Sequence, residues 1–261
     1  MVATLFFLSM AGGFLSGLIG IGGAVVLIPL LHYVPPVLGF GLLSMREVAG
    51  ITMIQVLAAS VFGWLAHKRN GFVHIPTVLA IGIPMGILAL CGAALSKFIS
   101  NENICLFFGA IVLIAFFLLF KKASDEISGS SDEFKFKPFL SAIIGSVVGF
   151  VTGIVGAGGG FIIIPLMIVV LGVPMRLAVG SSLGIVFLGS LMGSVGKIAT
   201  SQVAWRFLAP VILGSVPAAL IGAFVSKKLS PTCVRYVLII FVFLTLVVTW
   251  ADILRRFIGL S

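Results

Sequence analysis

The sequence predicts an all-α, polytopic membrane protein built from two homologous repeats of four apolar segments each. Composition is the first reason, because 61% of the 261 residues are hydrophobic and only 9% are charged, against about 25% in soluble proteins. The second is that charge-free stretches such as 1–31 and 139–173 are long enough to cross a hydrocarbon core of about 30 Å. The third reason is an internal duplication.

The duplication appears when the sequence is shifted by 136 residues, which aligns Gly13 with Gly149. Nine of the nineteen positions from 13 to 31 are then identical to their counterparts. A shift of 130 continues the match through the next segments and aligns Arg46 with Arg176. The second half of the chain is therefore predicted to repeat the fold of the first.

Each repeat opens with one long apolar segment interrupted by glycines and continues with three simpler spans. The polar, serine-rich stretch 121–137 lies between the repeats and is predicted to be a cytoplasmic linker. The first repeat, 1–120, contains the segments 2–34, 47–66, 75–97 and 103–120, and the second, 138–261, contains 138–172, 177–197, 207–227 and 232–250.

Each long segment is predicted to be broken at its adjacent glycines, near Gly22 and Gly158. A continuous helix of 33 residues would extend roughly 50 Å, well beyond the hydrocarbon core, whereas glycines allow the backbone conformations that end a helix. Paired interruptions at matching places in two repeats indicate a transporter's binding site. Close helix packing is the alternative for the spacings Gly13-x-x-x-Gly17 and Gly149-x-x-x-Gly153.

The orientation of the repeats depends on these segments. If each long segment crosses the membrane once, the protein has eight spans and parallel repeats. If each is a re-entrant hairpin, six crossings remain and the repeats are inverted. Both arrangements place the same number of Lys and Arg residues on the side of the linker, and this side is the richer one. The positive-inside rule therefore places the linker in the cytoplasm but does not choose between the two arrangements. The segment lengths and the glycine breaks favour inverted repeats.

The duplicated pattern Gly-x-x-Gly-x-Gly-Gly, followed by an apolar run and by Pro29 or Pro165, resembles the TauE/SafE family of sulfite exporters, also called the toluene-sulfonate uptake permease family. The pattern Arg-x-x-x-Gly-x-[Thr/Ser] that begins at Arg46 and Arg176 adds to this resemblance. The resemblance covers nearly the whole chain. It implies a secondary transporter, or permease, of the bacterial inner membrane for sulfite, a sulfonate or another small sulfur-containing or organic anion. Substrate and direction stay open.

An anion crossing lipid needs hydrogen-bond donors and positive potential without many costly fixed charges. Helix N-termini supply both, so a binding site is predicted at mid-membrane between the two broken segments. Hydroxyl and amide donors early in the following spans and two repeat-related arginines would complete it. The candidate substrate-binding residues are Gly20, Gly22, Gly23, Ala24, Arg46, Thr52, Gln55, Gly156, Gly158, Gly159, Gly160, Arg176, Ser181 and Ser182.

Several charged residues have two interpretations. The two arginines are either site residues or snorkelling anchors at the start of a span. His32 and Glu47 are either proton-coupling groups or, respectively, an interfacial histidine and a partner for Arg46. The predicted partners are therefore the anion, the lipid bilayer and either a proton or another coupling ion. The oligomeric state stays open.

The net charge of +9 arises largely from Lys and Arg clusters at the ends of apolar segments, which orient membrane proteins, so nucleic-acid binding is not predicted. The three cysteines have no metal-ligand spacing, and no P-loop or dinucleotide fingerprint follows the glycines. No metal, cofactor or enzymatic activity is predicted. The alternatives to a permease are an anion channel, which would need a continuous wet pore, and a structural membrane subunit that does not transport.

Overall fold

The computed structural model describes residues 1–19, 23–68, 73–120, 136–226, 229 and 231–257. No strand occurs among the residues described, and this part of the chain is formed by helices. They are α1 (Val2–Ile19), α2 (Ala24–Val37), α3 (Met45–Lys68), α4 (Ile75–Leu95), a 3₁₀ turn (Ser96–Phe98), α5 (Asn101–Phe120), α6 (Pro138–Val155), α7 (Gly160–Val169), α8 (Met175–Ala199), α9 (Trp205–Ser226) and α10 (Pro231–Phe257).

The all-helical, membrane-spanning fold predicted from the sequence is confirmed. Six helical segments in the described part, from α4, α5, α6, α8, α9 and α10, are long and apolar enough to cross a membrane. The predicted span bounds agree with the helices to within a few residues, except that α10 continues to Phe257. The predicted linker lies outside the described residues over 121–135, so the division into two repeats and a linker stays a prediction.

The first helix of each half packs mainly against a helix of the other half, so that the two halves exchange these helices. α1 packs along α9 of the second half, and α6, the counterpart of α1, packs along α4 of the first half. Glycines make both contacts possible, because a Cβ atom at these positions would overlap the backbone of the facing helix. The four contacts are Gly13 with Ser215, Gly17 with Ala219, Gly149 with Met85 and Gly153 with Ala89.

The four contacts are one packing arrangement made twice. The shifts of 136 and 130 residues that align the repeats convert the α1–α9 pairs into the α6–α4 pairs. The interpretation of these glycines as close helix packing is therefore confirmed.

Replacing Gly153 with Ala is expected to destabilise the protein, because the added methyl group meets the Ala89 backbone, which cannot rotate away. Overpacking of this kind costs about 1–3 kcal/mol. Thermal unfolding of the purified protein measures the effect. Gly41→Ala is the matched control, since nothing lies within 4 Å of a Cβ atom built there. Equal unfolding temperatures for the two variants would contradict the packing argument.

Equivalent helices of the two halves run antiparallel. Met53, near the start of α3, packs against Gly193, near the end of α8. Ser181, near the start of α8, accepts a hydrogen bond from the backbone N–H of His74, which lies beyond the end of α3 (3.0 Å). A two-fold rotation axis that interchanges two antiparallel helices is perpendicular to both of them. For helices that cross a membrane, that axis lies in the membrane plane. The packing thus supports inverted repeats, which stay a prediction.

The helix ends define two ends of the molecule. At the first, His74 contacts Ser181 and also the ring of Phe136, at 5.8 Å between ring centroids, so α4, α6 and α8 all begin there. Because α6 follows the predicted linker, we call this the linker end. At the other, which we call the opposite end, Ser96 and Lys197 bring together the ends of α4 and α8.

The second long segment is broken as predicted. α6 ends at Val155, and α7 begins at Gly160 after three glycines with positive φ, which are Gly156 (80°), Gly158 (62°) and Gly159 (78°). The chain then turns back, because Gly159 lies beside Val148 and Thr152 of α6. α6 and α8 both begin at the linker end, so α6 and α7 together leave that end and return to it. This path supports the prediction of a re-entrant segment.

The first long segment is also broken. α1 ends at Ile19 and α2 begins at Ala24, preceded by Gly23 in the left-handed conformation with φ 82°. Gly20 and Gly22 lie outside the described residues. The break occurs at the position that the alignment of the repeats predicts.

Candidate functional site

The N-terminus of α7 lies in the protein interior without a side-chain cap. Gly159 occupies the N-cap position and has no side chain to bond the first N–H groups of the helix. Gly160 and Phe161, which follow, are both buried. A helix N-terminus carries about half a positive charge and unpaired N–H donors. The break therefore presents anion-binding groups at a place that bulk water does not reach.

α2 begins in the same way. Gly23 is its N-cap, again without a side-chain hydrogen bond, and Ala24 is buried. Of the predicted glycines around this first break, Gly23 alone is described. Whether the two breaks face one another across a central cavity stays a prediction.

The first two turns of α3 hold the α6–α7 break in place. The Thr52 hydroxyl lies 2.8 Å from the carbonyl oxygen of Val48 and 3.0 Å from that of Gly156, and these two acceptors share its single proton. The backbone of Gly156 lies directly against Ala49, with no room for a Cβ atom. Thr52 therefore helps to position the glycines of the break. Its role in binding substrate stays a prediction.

Gln55 is the predicted site residue with unused hydrogen-bonding capacity. It follows Thr52 by three residues, which is about one helical turn, and its neighbour Val56 packs against Gly158. Its side chain is fully buried, and neither its amide nitrogen nor its amide oxygen has a hydrogen-bond partner. Leaving a buried amide unpaired is costly. Gln55 thus has a donor and an acceptor available next to the break.

The two predicted serines are buried but engaged. The Ser182 hydroxyl donates to the carbonyl of Val179, one turn earlier in its own helix (2.8 Å). Ser181 bonds His74 at the linker end. The structure places both serines at the start of α8. The Ser182 proton is used within its own helix, whereas Ser181 acts as an acceptor in its bond to His74.

Arg46 lies at the opposite end, one turn before Ala49. Its Nη2 donates to the carbonyl oxygen of Ile99 (2.7 Å), in the connection between α4 and α5, and its Nε is buried without a partner. Arg176 begins α8, but its side chain is outside what the structure describes. The prediction of two arginines around one path therefore stays a prediction for both residues.

The structure bears on the alternatives for two charged residues. His32 is buried, 3% exposed, and its Nδ1 lies 2.8 Å from the carbonyl oxygen of Leu43, and both of its interpretations stay open. The Glu47 carboxylate accepts from the backbone N–H and the hydroxyl of Ser44, at 3.0 and 2.9 Å, instead of pairing with Arg46. Glu47 thereby caps the start of α3.

The sequence analysis missed Lys197. A lone lysine near the end of an apolar span has the pattern of a snorkelling anchor, but this side chain is fully buried. Its Nζ donates to Ser96 Oγ (2.6 Å), the Ile154 carbonyl oxygen (3.0 Å) and Gln202 Oε1 (3.1 Å). We call these four residues the Lys197 cluster. Ser96 and Gln202 lie 106 positions apart, so only the folded chain shows the cluster.

A separate crevice of about 390 Å³ lies between α2 and α10. Its lining is almost wholly apolar, and Val37 and Leu38 at its rim are exposed. This crevice suits a hydrocarbon chain better than an anion, and it is not the cavity predicted between the breaks.

The chain matches the protein family described as "Sulfite exporter TauE/SafE" over residues 5–249. It is 25% identical to the "Probable membrane transporter protein YunE" of Bacillus subtilis over 239 residues, which are 85% of this chain and 88% of the relative. A "Probable membrane transporter protein" of Methanocaldococcus jannaschii is 27% identical over 240 residues, 87% of this chain and 86% of the relative. No solved structure matches the chain significantly.

Proposed function

The chain belongs to the sulfite exporter TauE/SafE family of membrane transporters, and on this basis we propose that it is a secondary transporter for a small sulfur-containing or organic anion, such as sulfite or a sulfonate. The membrane proposed is the inner membrane of a bacterium. No side chain described near the breaks forms a metal cluster, and the proposed action is transport without chemical change of the substrate.

The uncapped, buried N-terminus of α7 is the observation that supports an anion most directly. Its N–H groups and positive potential attract negative charge and repel cations. Gln55 adds a donor that has no protein partner. Neither group carries a full charge, so the anion would be held without the high cost of fixed charges in the membrane.

Inverted repeats would let this site alternate between the two sides. The antiparallel packing of α3 with α8 supports that arrangement, as does the exchange of α1 and α6 between the halves. Rocking of one repeat against the other around a fixed site is the usual consequence of such symmetry. In this proposal, the two broken segments line the site and the surrounding spans move about it.

Transport by purified protein in proteoliposomes tests the proposed function. Vesicles would be offered sulfite, thiosulfate, sulfonates and sulfoacetate at several pH values, with an inward and then an outward gradient. We expect saturable flux of at least one of these anions and a pH dependence if protons are coupled. Electrical currents far above carrier rates would indicate a channel. Absence of both flux and anion-dependent thermal stabilisation would overturn the proposal in favour of a structural subunit.

Replacing Gln55 with Leu separates a substrate role from a structural role. Because the amide has no protein partner, removing it is expected to leave the unfolding temperature unchanged or higher. If the amide bonds the anion, KM should rise by about tenfold, since a lost hydrogen bond to a charged group is worth about 1.5–3 kcal/mol. Flux and thermal unfolding of the same preparation give both quantities. An unchanged KM would remove Gln55 from the site.

A further inference from the structure

The Lys197 cluster contains a fully buried amino group whose positive charge, when it is protonated, has no negative group nearby. The three acceptors of the ammonium group are a hydroxyl, a backbone carbonyl and an amide oxygen. Among the described residues, no carboxylate lies within ion-pair distance of Lys197. The C-terminal end of α6, to which Ile154 belongs, contributes only about half a negative charge.

A second positive charge lies close by. Arg46 bonds the carbonyl of Ile99, and Ile99 in turn bonds the carbonyl of Ser96 through its backbone N–H (3.3 Å). Lys197 and Arg46 therefore both bond residues of one short stretch, 96–99, between α4 and α5. The Glu47 carboxylate, which follows Arg46 in sequence, is occupied by Ser44.

Burying a cation without a counter-charge is strongly unfavourable. Lys197 is fully buried, and Arg46 is half-buried with a buried Nε, so an anion that reaches this end of the protein during the functional cycle would remove this cost. All three N–H groups of Lys197 already have acceptors, but those acceptors are neutral, and hydrogen bonds to an ionised oxygen are roughly twice as strong as neutral ones. An arriving anion can therefore replace them.

We propose that the Lys197 ammonium, assisted by Arg46, is an anion-binding subsite at the opposite end of the transporter. An oxygen of a sulfite or sulfonate group replaces Ser96 Oγ and Gln202 Oε1 as acceptors of Lys197. This inference rests on the proposed function and adds to it a site at a different place from the α7 N-terminus. Ile154, two residues before Gly156, links the subsite to the α6–α7 break.

Gln202 also explains how the subsite is held closed. Its amide nitrogen donates to Ala93 O (2.9 Å) and Thr200 Oγ1 (2.6 Å), while its oxygen accepts from Lys197 and Ser96. One side chain therefore joins the ends of α4 and α8. Release of Lys197 from Gln202 would loosen this end, so anion binding and opening are expected to occur together.

The first test compares Lys197→Met with Lys97→Met, a matched control that removes an exposed lysine next to Ser96. Thermal unfolding would be followed with sulfite or methanesulfonate, using chloride at equal ionic strength as reference, and sulfite flux would be measured in proteoliposomes. Lys197→Met is expected to lose part of the sulfite-dependent stabilisation, since the α7 N-terminus still binds the anion, and to raise the KM about tenfold or more. Lys97→Met should match the wild type.

The second test, Gln202→Glu, supplies the missing negative charge within the protein. A carboxylate at the position of Gln202 Oε1 would pair with Lys197 permanently and compete with the anion. The expected result is a smaller sulfite-dependent rise in unfolding temperature than in the wild type, equal to that of Lys197→Met. The absolute stability is not the readout, because the variant also loses the amide donor to Ala93. This test decides the matter if Lys197→Met does not insert.

The outcomes separate the subsite from the proposed function. Wild-type protein that neither transports nor binds any of the anions overturns both. Wild-type transport together with an unchanged KM in Lys197→Met, or with full sulfite-dependent stabilisation of Gln202→Glu, overturns the subsite alone. In that case Lys197 has a structural role at the C-terminus of α6.

Discussion

Gly159→Leu is expected to abolish transport by protein that still inserts into the membrane. Gly159 has φ 78° and forms the N-cap of α7, and a side chain is disfavoured in that conformation by about 1–2 kcal/mol. A Cβ atom there would also approach Met85 Cε at 2.7 Å and Thr152 Cγ2 at 3.2 Å. A leucine would therefore displace the α7 N-terminus or occupy the space in front of it, and either change removes the proposed anion site.

Gly172→Leu is the matched control, because it separates backbone strain from loss of the site. Gly172 also has positive φ (70°), in the connection that follows α7, but nothing lies within 4 Å of a Cβ atom built there. We expect Gly172→Leu to keep most of its flux and Gly159→Leu to have none, with flux normalised to inserted protein. Gly23→Leu should behave like Gly159→Leu. Normal transport by inserted Gly159→Leu would exclude the break as the site.

Arg46→Gln combined with Arg176→Gln is expected to eliminate nearly all transport, whereas each single variant should only weaken it. The two positions correspond in the repeats, and one arginine left in place would still supply positive potential at one end of the path. In the wild type, the Arg46 guanidinium keeps an unpaired Nε beside its bond to Ile99. The measurement is uptake or efflux of the best substrate per molecule in the membrane.

A control with the same change in net charge is Arg206→Gln combined with Arg255→Gln. Both arginines are exposed near helix ends, which is the position of a snorkelling anchor. If Arg46 and Arg176 are only anchors, both double variants should insert less well and carry substrate normally per molecule. Normal transport per molecule by the Arg46/Arg176 variant would leave the helix N-terminus, Gln55 and Lys197 as the anion-selective groups.

The sequence predicted the helical membrane fold and both helix breaks because these depend on local properties. Hydrophobicity over about 20 residues is enough to identify a span, and adjacent glycines such as Gly158 and Gly159 identify a break. The duplication added the correspondence between the halves. The packing role of Gly149 and Gly153 was also predictable, since spacing by four residues places both on one helix face.

The contacts between distant residues were not predictable. Lys197 meets Ser96 only because α8 packs parallel to α4, so that the two helices end side by side, and nothing in the local sequence distinguishes this lysine from an interfacial one. Thr52 was assigned to the substrate because it lies near the break in sequence. Its contact with the carbonyl oxygen of Gly156 is visible only in the folded chain, and its role in binding substrate stays a prediction. For the relative direction of α3 and α8, the counts of positive charge gave no answer, and only the segment lengths and the glycine breaks favoured the antiparallel arrangement.

The exchange of helices between the halves has a consequence for biosynthesis. The glycine face of α1 packs on α9, whose Ala219 emerges from the ribosome about 200 residues after Gly17. At about 5–20 residues per second, α1 is synthesised roughly 10–40 s before α9. During that time, lipid or the insertion machinery covers the glycine face of α1. α6 has no such delay, because α4 is already in the membrane when α6 is made. The second half therefore assembles on the first, and α1 is the last of the exchanged helices to reach its final position.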